Sequence, residues 1–343
     1  MPALSREGTL SFRIAIAVAL PLVAASATST IAQQDQPPSF ALPLDCRFGE
    51  TCFIQQYFDH DPSPGRMIDY HGGTMTYDGH DGVDLRIPTM EAQQRGVQVL
   101  AAAAGVVKAA RDGIADVNVR AAGFASVKGH ECGNGVLIEH EAGWSTMYCH
   151  MARGSVHVHE GQRVDTGTPL GLVGLSGQTE FPHLHFGVAH NGKMVDPFAV
   201  GALDESIPAN SLWSNTAAAA LVYHSPSVIN FGFADKPLSL GDVESGLANE
   251  MPPNAASPAL VAFVRAIGLK AKDVQSFTLK GPDGQVVARS DVPPLQENMA
   301  ERFMFVGKRK DSREWPRGTY EAEFEIHRDG ATALSRTFTF DLK

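Results

Sequence analysis

Basic residues are outnumbered in this chain: 28 lysines and arginines face 38 acidic side chains, for a formal charge of −10 and a pI near 5.7. Nucleic-acid binders are ordinarily basic, so this balance argues against one. There is no His-Glu-x-x-His pair, which excludes the thermolysin arrangement of a helical zinc site. The apolar run from Ile14 to Ala25 is too short to cross a bilayer, which needs roughly 20 residues. Cysteine is scarce, four in 343 residues, and none lies near the small-residue sites at 25–32, so a lipid-anchored chain is not expected. No internal repeat stands out. Charged residues make up only 19% against 43% hydrophobic, which excludes extensive disorder and leaves material for about two packed domains.

What is present at the N terminus reads as an export signal over residues 1–32. Arg6 and Arg13 form a basic region, the apolar run follows, and Ala25-Ser26-Ala27 and Thr30-Ile31-Ala32 offer cleavage sites. The mature protein is then periplasmic or secreted, with no stable membrane insertion after cleavage. In an oxidising compartment four cysteines suggest two disulfides, for which three pairings exist. Residues 135–139 and 144–150 read as a hairpin turning near Ala142-Gly143, which brings Cys132 opposite Cys149; Cys46 and Cys52 close a short local loop.

The chemistry gathers around Pro182-His183-Leu184-His185-Phe186. On a strand, alternate side chains share a face, so His183 and His185 lie on one side and Leu184, Phe186 and Val188 on the other. One face is built for a core and the other for imidazole chemistry. Upstream, His80 and Asp84 stand four apart in His80-Asp81-Gly82-Val83-Asp84, and Tyr148-Cys149-His150 supplies a further imidazole. Two imidazoles and a carboxylate with a water in the fourth position are the usual catalytic zinc set. His80, Asp84 and His185 provide it, with His150 and His183 left over. By alternation Cys149 turns away from the site face. His157-Val158-His159 has the same His-x-His spacing but falls on a short strand away from these stretches, where surface positions are expected.

The fold class read from the pattern is all-β: a mostly antiparallel catalytic domain over 53–203, then a β-sandwich over 221–343. Residues 33–52 read as a mobile Pro- and Gln-rich lead-in, 204–220 as a linker, and 114–131 as a loop insertion. In the second half Tyr320, Ala322, Phe324 and Ile326 alternate with Glu321, Glu323 and Glu325. Pro282-Asp283-Gly284 and Arg328-Asp329-Gly330 mark turns. His224 and His327 are isolated, so this half is expected to fold alone and to carry no catalytic group.

With these residues in hand, the stretch from about Gly79 to Phe198 resembles the lysostaphin/LytM-type zinc peptidases, endopeptidases of bacterial peptidoglycan. The resemblance rests on His80-x-x-x-Asp84, the run from Val97 to Val107, Gly135 to His140, Tyr148-x-His150, Gly171-x-Val173-Gly174 and His183-Leu184-His185-Phe186, in order and spacing. It implies that His80, Asp84 and His185 bind Zn2+ and that His150 and His183 are the catalytic pair, in an exported endopeptidase acting on peptidoglycan cross-links. The segment with Trp315-Pro316 and Gly318-Thr319-Tyr320 looks immunoglobulin-like, and would offer a surface for a protein partner. Glu180-Phe181 stands where the family often has small residues, and Gly187 where an acidic one is common, so substrate preference does not carry over.

Three other readings compete. A catalytically silent relative would act as a cell-wall-binding or amidase-activating scaffold, but such proteins usually lose ligands and this chain keeps all five residues. A D-Ala-D-Ala-type carboxypeptidase, suggested by Glu180-x-x-His183, places its first histidine and aspartate further apart. A zinc carrier would fill every metal position and leave no spare histidines.

Overall fold

Short β-branched and aromatic runs broken by glycine-bearing turns give a chain that is mostly strand, in antiparallel sheets. The structure, a computed structural model, describes residues 37–200, 210–250, 252–311 and 313–343. The export signal expected over 1–32 lies outside the described residues, as do 33–36 and 201–209. Among the described residues no helix is long and apolar enough to cross a membrane.

The first half contributes β1 (Phe53–Gln56), β2 (Val83–Arg86), β3 (Gln98–Leu100), β4 (Gly105–Arg111), β5 (Asn134–Glu139), β6 (Trp144–Met151), β7 (Arg163–Val164), β8 (Pro169–Leu172), β9 (His183–His190) and β10 (Lys193–Val195). The large sheet runs β1-β2-β9-β6-β5-β4-β7, with β10 paired to β9, while β3 and β8 form a pair of their own. Two short helices lie between these strands, α1 (Met90–Arg95) and α2 (Val119–Ala122), and α3 (Asn215–Ala220) follows them. The hydroxyl of Thr89 caps α1 by accepting from the Ala92 amide at 3.1 Å.

The second half holds β11 (Ser227–Ala234), the helix α4 (Leu240–Ser245), β12 (Ala259–Leu269), β13 (Val274–Lys280), β14 (Val286–Val292), β15 (Met299–Arg309), β16 (Gly318–Arg328) and β17 (Ala331–Leu342). A three-stranded sheet, β11-β12-β15, and a four-stranded one, β14-β13-β16-β17, bury a common core that includes Leu260, Val264, Phe277 and Phe324. The alternation read on β16 holds: Tyr320, Ala322, Phe324 and Ile326 are buried, and the intervening glutamates reach outward.

Several expectations change. Residues 37–52 are packed rather than mobile, because Phe40 and Leu44 are apolar anchors: Phe40 is fully buried and bridges to Trp213, and Leu44 bridges to Val99. The described part of the linker, 210–220, carries α3 and sends Leu212, Trp213 and Ala217 into the same core. That core is completed by Ile229 and Ile267 from the second half, and Gln36–Lys343 cluster as one compact unit. His157 and His159 are exposed as expected, but no strand forms there.

Candidate metal centre

The site grows out of β2 and β9. On β9, Leu184, Phe186 and Val188 are fully buried in the core, which turns His183 and His185 to the opposite face. On β2, Val83 and Leu85 are likewise fully buried, which turns Asp84 and Arg86 to that same face. Antiparallel register pairs Asp84 with His185 and Arg86 with His183. His80 lies in the loop just before β2. Its Nδ1–H donates to the Tyr57 carbonyl at 2.6 Å, which points Nε2 inward.

Three donor atoms then converge. His80 Nε2 lies 3.2 Å from Asp84 Oδ1 and 3.3 Å from His185 Nδ1, and His185 Nδ1 lies 3.1 Å from Asp84 Oδ1. All three residues are buried. A tetrahedral site with bonds of about 2.0 Å has edges of about 3.3 Å, so this triangle fits one face of a zinc tetrahedron. The donor set, two imidazoles and one carboxylate, also suits zinc. Burial alone would raise the Asp84 carboxyl, but the neighbouring imidazoles of His80, His183 and His185 bring it well below the usual carboxylate range.

The two remaining imidazoles flank the triangle. His183 donates Nδ1–H to the Phe181 carbonyl at 2.9 Å and holds Nε2 3.3 Å from Asp84 Oδ1. His150 donates Nδ1–H to the Ser176 carbonyl at 2.8 Å, and its ring centroid is 4.7 Å from that of His183. Each ring therefore presents Nε2 as the free nitrogen. Burial, then the neighbouring charges of His183 and His185, push the His150 imidazole well below its ordinary value.

His150 arrives there by breaking the strand rule. Register places Tyr148 opposite Phe186 on the core face and Cys149 opposite His185 on the imidazole face. This corrects the expectation that Cys149 turns away, and plain alternation would send His150 toward the core. Instead β6 carries a register shift against β5 between Tyr148 and Met151, and His150 has φ +62°. A bulge and a left-handed residue together re-aim the ring. The local frame is pinned by the disulfide Cys132–Cys149 and by the His150 amide donating to the Cys132 carbonyl at 2.8 Å. The other expected bridge, Cys46–Cys52, is also present.

Two supporting residues escaped the sequence reading, although both sit inside the quoted motif. Asp81 Oδ1 lies 3.5 Å from His185 Nε2, on the far side of the ring from the triangle, where a carboxylate orients a ligating imidazole. Gly82 lies against the same ring: a Cβ there would come within 2.6 Å of His185 Cε1 and Nε2 and 2.9 Å of the Phe186 carbonyl oxygen. A carboxylate and a glycine between two ligands were the available signals. Tyr77 stacks on His80 with ring centroids 4.4 Å apart. Asp84, His150 and His183 together line a cleft of about 690 Å³.

Residues 78–197 match the model of Peptidase family M23. The chain is 30% identical over 145 residues to the cell division protein DipM of Caulobacter vibrioides, covering 40% of this chain and 20% of that protein. It is 31% identical over 105 residues to the DD-carboxypeptidase/endopeptidase Mpg of Neisseria meningitidis, covering 31% of this chain and 22% of that protein. The matched segment thus spans about a fifth of these curated relatives. A zinc-containing peptidase from Vibrio cholerae aligns with 45% of this chain and 41% of its own at 25% identity and a TM-score of 0.28.

Proposed function

We propose that the protein, whose residues 78–197 match the model of Peptidase family M23, is an exported zinc-dependent endopeptidase that hydrolyses peptide cross-links of bacterial peptidoglycan. The observation that carries this reading is the buried triangle of His80, Asp84 and His185 with two further imidazoles beside it, each tied by Nδ1 to a backbone carbonyl. The relative Mpg, by name a DD-carboxypeptidase/endopeptidase, supports the reaction class.

In this reading His80 Nε2, Asp84 Oδ1 and His185 Nδ1 hold the metal. Zinc bound there supplies Lewis acidity to the scissile carbonyl and to the attacking water. His183 takes the water's proton at Nε2 and returns it to the leaving amine. His150, beside His183, accepts a hydrogen bond from the attacking water at its unprotonated Nε2 and helps to orient it. Asp84, as a ligand, does not double as base.

The test is to determine the zinc content of the purified mature protein, incubate it with purified cross-linked peptidoglycan, and identify the fragments by mass. Stoichiometric zinc with cleavage at peptide bonds is expected. Zinc with intact cross-links after prolonged incubation would instead fit the silent scaffold.

A further inference from the structure

The cleft over the metal triangle is not walled by the M23 segment alone. Leu240 and Glu244 of α4 and Ala300 and Glu301 of β15 line it too, and all four lie beyond residues 78–197.

These residues are fixed in place by buried charge. Arg86, two positions after Asp84 on β2, is only 1% exposed. Its Nη1 donates to Glu301 Oε2 and, at 2.8 Å, to Gln55 Oε1; its Nη2 donates to Glu244 Oε1 at 3.0 Å. Arg265 of β12, equally buried, donates through Nη2 to Glu244 Oε1 at 2.9 Å and to Glu301 Oε2 at 3.0 Å. Each carboxylate is thus shared between the same two guanidiniums, and the four charges sum to zero. Buried charges hold such positions only when paired and hydrogen-bonded, so the ring fixes the second half against the strand that carries Asp84. Gln55 of β1 adds a bond from Nε2 to the Ala300 carbonyl at 3.2 Å.

Among the paired Arg120 and Glu180 and other polar residues of the cleft lining stand three large, exposed apolar side chains. Tyr77, Phe124 and Leu240 are 47%, 52% and 40% exposed, and all three border this one cleft. They come from the loop before His80, from the 114–131 insertion and from the second half. Large apolar groups left uncovered around one concave site, rather than scattered singly, mark a binding rim.

We propose that α4 and the start of β15 form a wall of the substrate cleft, and that Leu240, with Tyr77 and Phe124, grips the apolar side chains of an extended peptide lying across the metal triangle. This rests on the peptidase reading above. The continuity of the rim with His150, His183 and Asp84 in one cleft is what selects the substrate peptide as its occupant.

The experiment uses the full chain with Leu240→Asp, and Leu247→Asp as the control. Leu240 is the first residue of α4, where an acidic side chain suits the helix, so the variant is expected to fold. Leu247 is 46% exposed and does not border the cleft. The probe is a purified cross-linked peptide dimer from peptidoglycan, measured by calorimetry on chelator-treated protein and by steady-state kinetics on zinc-loaded protein. Leu240→Asp is expected to weaken Kd and raise KM by about tenfold, with kcat changing less, because roughly half a leucine's burial is lost. Leu247→Asp should move neither. Unchanged Kd and KM in Leu240→Asp, equal losses in both variants, or a wild type that does not bind the dimer would each overturn the proposal. Cleavage by wild type with Leu240→Asp indistinguishable would leave the peptidase reading standing and remove this one. Leu240-dependent binding without any cleavage would do the reverse.

Discussion

Gly82 shows how tightly the metal strand is packed. A methyl group there meets both the His185 ring and the Phe186 carbonyl, and the latter is backbone that cannot swing aside. Gly82→Ala is expected to displace His185 and lower zinc affinity by about 10–100-fold, the usual effect of disturbing a ligand's support; titration against a competing chelator measures it. The five site residues should divide cleanly. His80→Ala, Asp84→Ala and His185→Ala are expected to strip the metal and abolish turnover together. His183→Ala and His150→Ala should keep zinc while turnover falls by roughly 10²–10⁴-fold, the scale of a lost acid–base group. Metal analysis and kinetics on the five variants check this, and loss of zinc from His183→Ala with retention in His185→Ala would reverse the assignment within β9. These residues stood out in the sequence because ligand chemistry is written in side-chain type and spacing. Asp81 and Gly82 did not, because their roles depend on which side of the His185 ring each one faces.

At the scale of the element, β9 was readable because one face of it is continuously apolar, and period-two alternation then leaves the other face for chemistry. The bulge in β6 was not readable. On β6 itself no glycine or proline marks it: the left-handed residue is His150, and the glycine at the shift, Gly135, lies on the paired strand. The short helix α1 was missed for a related reason: six residues are too few to show a helical period. Replacing Cys132 and Cys149 together by serine tests what pins the bulge. The bridge closes a loop of 17 residues, so its loss should cost about 3 kcal/mol on the loop-entropy model, measurable by urea unfolding. The His150 frame should loosen with it, so kcat should fall while zinc stays bound.

At the scale of the whole molecule, the sequence reading divides the chain at a linker, whereas the structure places one core across that boundary. Arg86 and Arg265 look like ordinary strand charges in the sequence, and their partners lie 158 to 215 and 21 to 36 residues away. Glu301→Ala should remove a carboxylate shared by both guanidiniums and destabilise the fold by about 3 kcal/mol, the low end for breaking a buried pair, as read from urea denaturation. A chain ending at Ala202 lacks Leu212, Trp213, Ala217, Leu221, Ile229 and Ile267 from the first core. At about 1.5–3 kcal/mol for each large side chain, that loss rivals the whole margin of a domain, so no cooperative unfolding transition is expected by circular dichroism. A cooperative transition together with normal zinc binding in that chain would show the first half to be self-sufficient. The charge ring also has a consequence for the order of synthesis. Asp84 and Arg86 are made early, but the carboxylate of residue 301 emerges from the ribosome more than 200 residues later. Until then the guanidinium on β2 has no complete set of partners, so the cleft beside Asp84 is finished only when most of the chain has been translated.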